Sequence, residues 1–166
     1  MMYLYLVRHG IAVDRDDPHC PSDTERPLTP IGIKKSQAAA HGLLALGVQP
    51  DAVLTSPWLR ASQTADIFCE VMGFSTKKII RSDVLKGTSA PPDLFRELAK
   101  LKAKEVLCFG HEPHLHQLIG LVLHTSSRIT ELKKAGVACL ELERVSPPQG
   151  QLIALYPPKT LRLLGK

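Results

Sequence analysis

Short continuous apolar runs alternate with longer stretches in which apolar side chains recur every three or four residues. Tyr3-Leu4-Tyr5-Leu6-Val7, Ala52-Val53-Leu54-Thr55 and Val106-Leu107-Cys108-Phe109 each read as a buried strand. Thr29-Pro30 and Ser56-Pro57 share one helix-start grammar, a hydroxyl suited to the N-cap followed by a proline suited to the first helical position. The first predicts a helix to about Leu46, stopped by Gly47. The second predicts a helix to about Met72, stopped by Gly73, with Ala61, Ala65, Phe68 and Met72 facing the core. A third helical pattern runs through Leu115, Leu118, Ile119 and Val122. Strands alternating with helices predict an α/β sandwich around a largely parallel sheet. The end of the chain differs, because Val137–Leu142 and Gln151–Leu155 flank Ser146-Pro147-Pro148-Gln149-Gly150 as strand, turn, strand. The sheet is therefore expected to be mixed at one edge. Asp14–Pro27 reads as a polar loop over the end of the first strand, and Lys86–Pro92 as a second loop.

With 166 residues the chain suits one domain, taken as 1–166, and can bury a sizeable core. An aromatic content of 5% argues against a base-stacking nucleic-acid platform. No apolar stretch approaches a membrane span, and the first apolar run is too short for a signal peptide and is broken by Arg8. Cys20, Cys69, Cys108 and Cys139 show no C-x-x-C spacing, and the last three sit in apolar company, as in a reducing compartment. A cytoplasmic location is the expectation. The net charge of +5 comes from lysines scattered in pairs, Lys34-Lys35, Lys77-Lys78 and Lys133-Lys134, and in a looser group at Lys100, Lys102 and Lys104. That pattern makes a solvated basic surface, or a mild steering field for an anionic substrate or acidic partner, whose association would weaken with salt.

Chemistry gathers at the predicted strand ends. Arg8 and His9 leave the C-terminal end of the first strand, where open α/β sheets bind ligands, and Gly10 follows them. The second strand runs into Ser56-Pro57-Trp58-Leu59-Arg60-Ala61-Ser62-Gln63-Thr64-Ala65, which places Arg60 in the first turn of its helix. A later strand delivers His111 just before another helix start. Two arginines and two histidines converging near helix N-termini suit a tetrahedral dianion, since guanidinium grips phosphate oxygens bidentately and helix ends add N–H donors.

Arg8-His9-Gly10, Ser56-Pro57-x-x-Arg60-Ala61-x-Gln63-Thr64-Ala65 and Gly110-His111-x-Pro113 together resemble the histidine phosphatase superfamily. Arg26-Pro27-Leu28-Thr29-Pro30-x-Gly32, with the short length, resembles its small SixA-type phosphohistidine phosphatases. The resemblance implies a three-layer α/β/α sandwich of the phosphoglycerate mutase type, its sheet mostly parallel with an antiparallel edge. It implies a hydrolase of phosphohistidine in a protein, with His9 as a neutral imidazole nucleophile that is transiently phosphorylated. Arg8, Arg60 and His111 would hold the phosphoryl oxygens, with Arg26 as a further ligand. No metal or other cofactor is implied, guanidinium and imidazolium groups supplying the positive charge. The implied partner is a histidine-containing phosphotransfer domain or a similar phosphocarrier, in cytoplasmic signalling, with no role for nucleic acid or membrane. Larger superfamily members carry a carboxylic general acid on a later loop. Here Asp83 and Glu112 are the candidates, at unpersuasive spacing. An imidazole leaving group, with a pKa of about 6.5 against roughly 15.7 for a water-like oxygen, needs far less help.

Competing expectations are a small-molecule phosphomonoesterase of the same superfamily and a non-catalytic phosphoryl-binding module. Two further motifs invite other chemistry. His19-Cys20-x5-Arg26 matches the cysteine phosphatase pattern, but its loop has no glycine, and Pro21, Asp23 and Glu25 oppose an N–H cradle for phosphate. His111-Glu112-Pro113-His114-Leu115-His116 lacks the second histidine of H-E-x-x-H, so His114 and His116 are expected to be exposed or substrate-facing rather than metal ligands. Trp58 is expected to pack beside Arg60.

Overall fold

In the computed structural model, which describes residues 1–20 and 22–166, the three apolar runs become β1 (Met2–Arg8), β2 (Ala52–Thr55) and β4 (Glu105–Gly110). A two-residue β3 (Ile80–Arg81) and the hairpin β5 (Val137–Arg144) and β6 (Gln149–Tyr156) complete a sheet of order β3-β2-β4-β1-β5-β6. β1 to β4 are parallel, β5 runs antiparallel to β1, and β6 antiparallel to β5. The mostly parallel sheet with an antiparallel edge is as expected.

Side chains alternate across the sheet and define two cores. Leu4, Leu6, Leu54, Val106, Cys108, Ala138 and Leu140 face one side; Tyr5, Val7, Val53, Leu107, Phe109, Val137 and Cys139 face the other. The first side is covered by α3 (Pro91–Leu98) and α4 (His114–Val122), through Leu94, Phe95, Leu98, Leu115, Leu118, Ile119 and Val122. The second is covered by α1 (Pro30–Ala45), α2 (Leu59–Met72) and α5 (Pro158–Leu164), through Ala39, Leu43, Ala65, Phe68 and Leu161. The result is helix, sheet, helix in three layers.

Thr29 caps α1 as expected, its Oγ1 accepting the Gly32 N–H at 3.0 Å. Ser56 does not cap α2. The helix begins at Leu59 after an extended Trp58, and the serine hydroxyl is committed elsewhere. Gly73 ends α2 in the left-handed conformation, with φ of 70°, as its position predicts. α3, α5 and β3 are additions to the sequence reading. Pro91-Pro92 does not close a loop but opens α3, with Pro91 at the first helical position. α5 is too short for its periodicity to register, and its docking depends on Gly42 of α1, where a Cβ would lie 2.0 Å from the Leu161 carbonyl oxygen.

The register brings the chemistry together. Arg8 pairs with Gly110 and Thr55 with Phe109, so His9, Ser56 and His111 follow three adjacent strands at one edge of the sheet. The His9 N–H donates to Gly110 O at 3.1 Å and the Ser56 N–H to Phe109 O at 2.9 Å, extending both ladders into the turns.

Candidate active site

At this edge lies a cleft of about 620 Å3, lined by Arg8, His9, Asp14, Arg15, Asp23, Arg26, Trp58, Arg60, Thr88, His111, Glu112 and Lys134 among others. Every predicted site residue, Arg26 included, reaches it.

His9 is buried, and its Nδ1 lies 2.7 Å from Gly10 O. A carbonyl can only accept, so Nδ1 carries the proton and Nε2 keeps its lone pair. Burial, reinforced by the nearby Arg60, Arg8 and Lys134 charges, pushes the ring's pKa down to about 3, against the opposing pull of the Gly10 carbonyl. His9 is therefore a neutral imidazole with a free nitrogen at physiological pH. Its turn is fixed from α2: the Gly10 N–H donates to Thr64 Oγ1 at 2.9 Å, and the same hydroxyl donates to Arg60 O at 2.7 Å. Gln63 Oε1 accepts the Leu28 N–H at 2.7 Å and holds the segment before α1. The Gln63-Thr64 pair of the sequence motif thus ties two loops to one helix.

His111 is also buried, with Nε2 2.8 Å from Ser56 Oγ. That oxygen also accepts the Trp58 N–H at 3.3 Å, and among the described residues Nε2 is the one acceptor bonded to the buried hydroxyl, so satisfying its proton assigns the ring proton to Nδ1. Nδ1 has no protein partner. Burial, with the neighbouring His9 and Arg60, lowers the pKa of His111 to about 2. The imidazolium expected here is thus a neutral donor, and the cationic charge of the cleft comes from arginine and lysine.

Arg60, 3% exposed, donates from Nη1 to Asp23 O at 2.6 Å, and Nη2 lies 3.5 Å from Asp23 Oδ2. Its Cζ lies 5.0 Å from the centre of the Trp58 ring, and that ring meets His111 at 4.6 Å between centroids. Trp58 packs beside Arg60 as expected and also steadies His111. Arg8 donates from Nη1 to Leu132 O at 2.6 Å. Nε of Arg8, Nε of Arg60 and Nδ1 of His111 are buried without partners. Buried donors are almost always satisfied, so three nitrogens left unpaired by the protein, all on residues of one cleft, are the chemistry an oxyanion would satisfy. Arg26 is more tightly committed, with Nε donating to Asp23 Oδ1 and Nη1 to Val13 O, both at 2.9 Å.

Of the cleft residues not singled out as site residues by the sequence, three change the picture. Asp23, opposed to phosphate in the loop reading, gathers Arg15, Arg26 and Arg60. Burial alone would raise its pKa, but the charge of Arg60 and the bond from Arg26 outweigh burial and lower it. Lys134 belongs to a pair read as ordinary surface. Glu112, raised only as a possible acid, is a brace. Its Oε1 accepts the Leu132 N–H at 2.9 Å, and its Oε2 the His116 N–H and Nδ1 at 3.2 Å.

Asp83 does not line the cleft and pairs with Lys86 at 3.0 Å. His114 is neither exposed nor substrate-facing. It is fully buried in α4, both ring nitrogens unpaired, and burial lowers its pKa. Cys20 Sγ donates to Ser22 O at 3.3 Å and does not line the cleft, while Pro21 of the same motif lies outside the described residues. Among the described residues no three His, Cys, Asp or Glu side chains form a metal-binding group, and no helix is long and apolar enough to cross a membrane.

A family model described as the histidine phosphatase superfamily (branch 1) matches residues 4–86. The chain belongs to that superfamily. An uncharacterised protein of a Picosynechococcus strain is 34% identical over 143 residues, covering 82% of each chain. The serine/threonine-protein phosphatase Pgam5 of Drosophila ananassae is 34% identical over 91 residues, 54% of this chain and 30% of its own length. Among solved structures, the protein histidine phosphatase SixA complexed with tungstate aligns with a TM-score of 0.85 at 24% identity, over 96% of this chain and 99% of that one. A mycobacterial glucosyl-3-phosphoglycerate phosphatase with inorganic phosphate aligns at 0.74 and 16% identity, over 98% and 99%. These alignments give the histidine phosphatase fold to the whole chain.

The two buried imidazoles make stability depend on acid. Their folded pKa values, about 3 and about 2, lie below the unfolded value of 6.5, so between these limits the unfolded chain binds the extra protons. Stability is expected to be full above about pH 6.5 and to fall as the pH drops toward 3. Urea unfolding at stepped pH should show His9→Ala declining less steeply than the parent between pH 6.5 and 4. Parallel declines would mean that His9 is not held neutral.

Proposed function

We propose that this superfamily member is a phosphohistidine phosphatase acting on a protein through a covalent phospho-His9 intermediate. Nε2 of His9 attacks phosphorus in line, the substrate's P–N bond breaks, and its electron pair stays on the departing ring nitrogen. A substrate ring protonated on its other nitrogen leaves as neutral imidazole. Arg8, Arg60 and Nδ1–H of His111 hold the phosphoryl oxygens as charge spreads over them, with Arg26 positioning Asp23 and, through it, Arg60. Water then adds to phosphorus, the P–N bond to His9 breaks, and the pair returns to Nε2. Guanidinium charge serves each step, and no metal enters the scheme.

One observation supports the substrate class: of the three carboxylates lining the cleft, the two nearest its buried arginines and histidines, Asp23 and Glu112, are committed to holding protein, and only the exposed Asp14 is not. Glu112 braces Leu132 and His116, and Asp23 binds three arginines. Asp14 is exposed and accepts the backbone N–H of Asp16 at 3.4 Å. General acid catalysis is worth about 10^2 to 10^4 in rate, and alkoxide leaving groups need it most. The likeness to a protein histidine phosphatase points the same way. A phosphotransfer domain or other cytoplasmic phosphocarrier is the partner this reading names. The second reading, a small-molecule phosphomonoesterase, draws on the fold shared with a sugar-phosphate phosphatase.

The deciding experiment compares kcat/KM for a phosphohistidine-bearing protein with values for phosphoserine and 3-phosphoglycerate. The expected advantage of phosphohistidine is about 10^2-fold or more, the contribution of the missing acid. Robust turnover of phosphoglycerate with none of phosphohistidine protein would install the second reading.

A further inference from the structure

Next to the cleft lies a second recess, of about 370 Å3, between α1, the segment 133–135 and α5. Arg8, Lys35, Lys133, Lys134 and Arg162 line it, and no carboxylate does. Among the described residues Lys35, Lys133, Lys134 and Arg162 make no ion pair, so the protein leaves their charge uncompensated. Ser36 also belongs to the wall. It is 0% exposed, and its hydroxyl has no hydrogen-bond partner. A mid-helix serine usually satisfies itself against the preceding turn. Here the hydroxyl carries no accessible surface and is packed against Gly10, where a Cβ would come within 2.4 Å of it, so the character of the recess is set by its lysines and arginines.

Position decides what that anion is attached to. Arg8 and Lys134 line both the recess and the active cleft, so the two volumes share a wall. A protein that presents a phosphorylated ring to His9 would bring neighbouring side chains within reach of this recess. The recess is too small for a folded element and large enough for a side chain, and its charge selects an acidic one.

We propose that the recess is a second anion subsite, seating a carboxylate side chain of the protein that bears the phosphohistidine; this rests on the phosphohistidine reading above. Lys35 and Arg162 supply charge, and the shared Arg8 and Lys134 set the spacing between carboxylate and phosphoryl group. The subsite acts on recognition and leaves the chemical step alone.

The test uses three substrates: free phosphohistidine, a phosphohistidine peptide flanked by glutamates, and the same peptide flanked by glutamines. The parent is compared with the double variant Lys35→Ala/Arg162→Ala, neither residue lying in the active cleft. The parent is expected to favour the glutamate peptide about tenfold in kcat/KM, through KM, as hydrogen-bonded charge pairs do. The double variant should lose that preference while keeping kcat and its turnover of free phosphohistidine. Equal KM values for the two peptides in the parent, or a preference that survives the double variant, would overturn the subsite alone. A parallel loss on free phosphohistidine would place Lys35 and Arg162 in the basal site and overturn the docking role. A parent enzyme silent on all three substrates would overturn the phosphohistidine reading itself, and the carboxylate subsite with it.

Discussion

The variant His9→Ala is expected to lose turnover by about four orders of magnitude or more and to trap no phosphate on the enzyme. The expectation follows from the disposition of the ring. Nδ1 is occupied by Gly10 O, burial keeps the imidazole neutral, and Nε2 retains a lone pair in a cleft walled by guanidinium groups. His111 cannot substitute. Its Nε2 receives the Ser56 hydroxyl and its Nδ1 carries the proton, so it has a donor to offer where a nucleophile needs a lone pair. Rapid acid and base quench during turnover separates the cases, because phosphate on an imidazole is lost in acid and phosphate on a thiol or hydroxyl is not. Phosphate binding by His9→Ala should persist, since Arg8 and Arg60 are untouched, which distinguishes a missing nucleophile from a damaged site. A Cys20→Ser enzyme run beside it should be fully active. Activity that died with Cys20 and survived without His9 would relocate the nucleophile to the thiol.

Replacement of Arg60 by alanine is expected to lower kcat/KM by about 10^2- to 10^3-fold, and Arg60→Lys to restore little of it. Arginine is demanded here by the number of simultaneous contacts. Nη1 and Nη2 address the Asp23 carbonyl and carboxylate, the flat face lies over Trp58, and Nε remains unpaired for a ligand. An ammonium group is a point charge on a flexible stem and cannot serve the loop and the phosphoryl oxygen together. Asp23→Asn should cost less than Arg60→Ala, because it loosens the guanidinium without removing it. The comparison is read from steady-state kinetics together with competition by inorganic phosphate. An Arg60→Lys enzyme within tenfold of the parent would mean that charge suffices and that the fork geometry is incidental.

Those residues were legible because their chemistry is carried by short runs of chain. Arg8-His9 follows an apolar strand, Arg60 sits one turn from a strand end, and His111 follows a third strand, so local pattern and topology give the same answer. The sheet was legible for the same reason, its faces being set by a period of two. What escaped the sequence depends on distant partners. Ser56 looks like a helix cap until β2 and β4 lie side by side and His111 takes its hydroxyl. Glu112 looks like an acid until the chain returns at Leu132. Lys134 enters the cleft only because its segment folds back against Arg8 and His9, where the Ala135 N–H meets both carbonyl oxygens. Asp23 lies three residues before Arg26, a spacing common on any polar loop, and its importance appears only when Arg60 arrives from α2. α3 and α5 are helices of eight and seven residues, below the length at which periodicity outweighs prolines at the start.

Leu132 carries a consequence beyond its own burial. Its N–H is held by Glu112, next door to His111, while its carbonyl receives Arg8, next door to His9. One residue, through the two peptide units that flank it, is therefore the joint between two walls of the cleft, and it sits at the end of the irregular segment 125–131 rather than in the sheet. Local opening of such a segment is cheaper than global unfolding. Opening of the segment by mild denaturant would therefore be expected to free Arg8 from Leu132 while the sheet is still intact. Loss of the Leu132 bonds alone would then cost activity before it cost the fold.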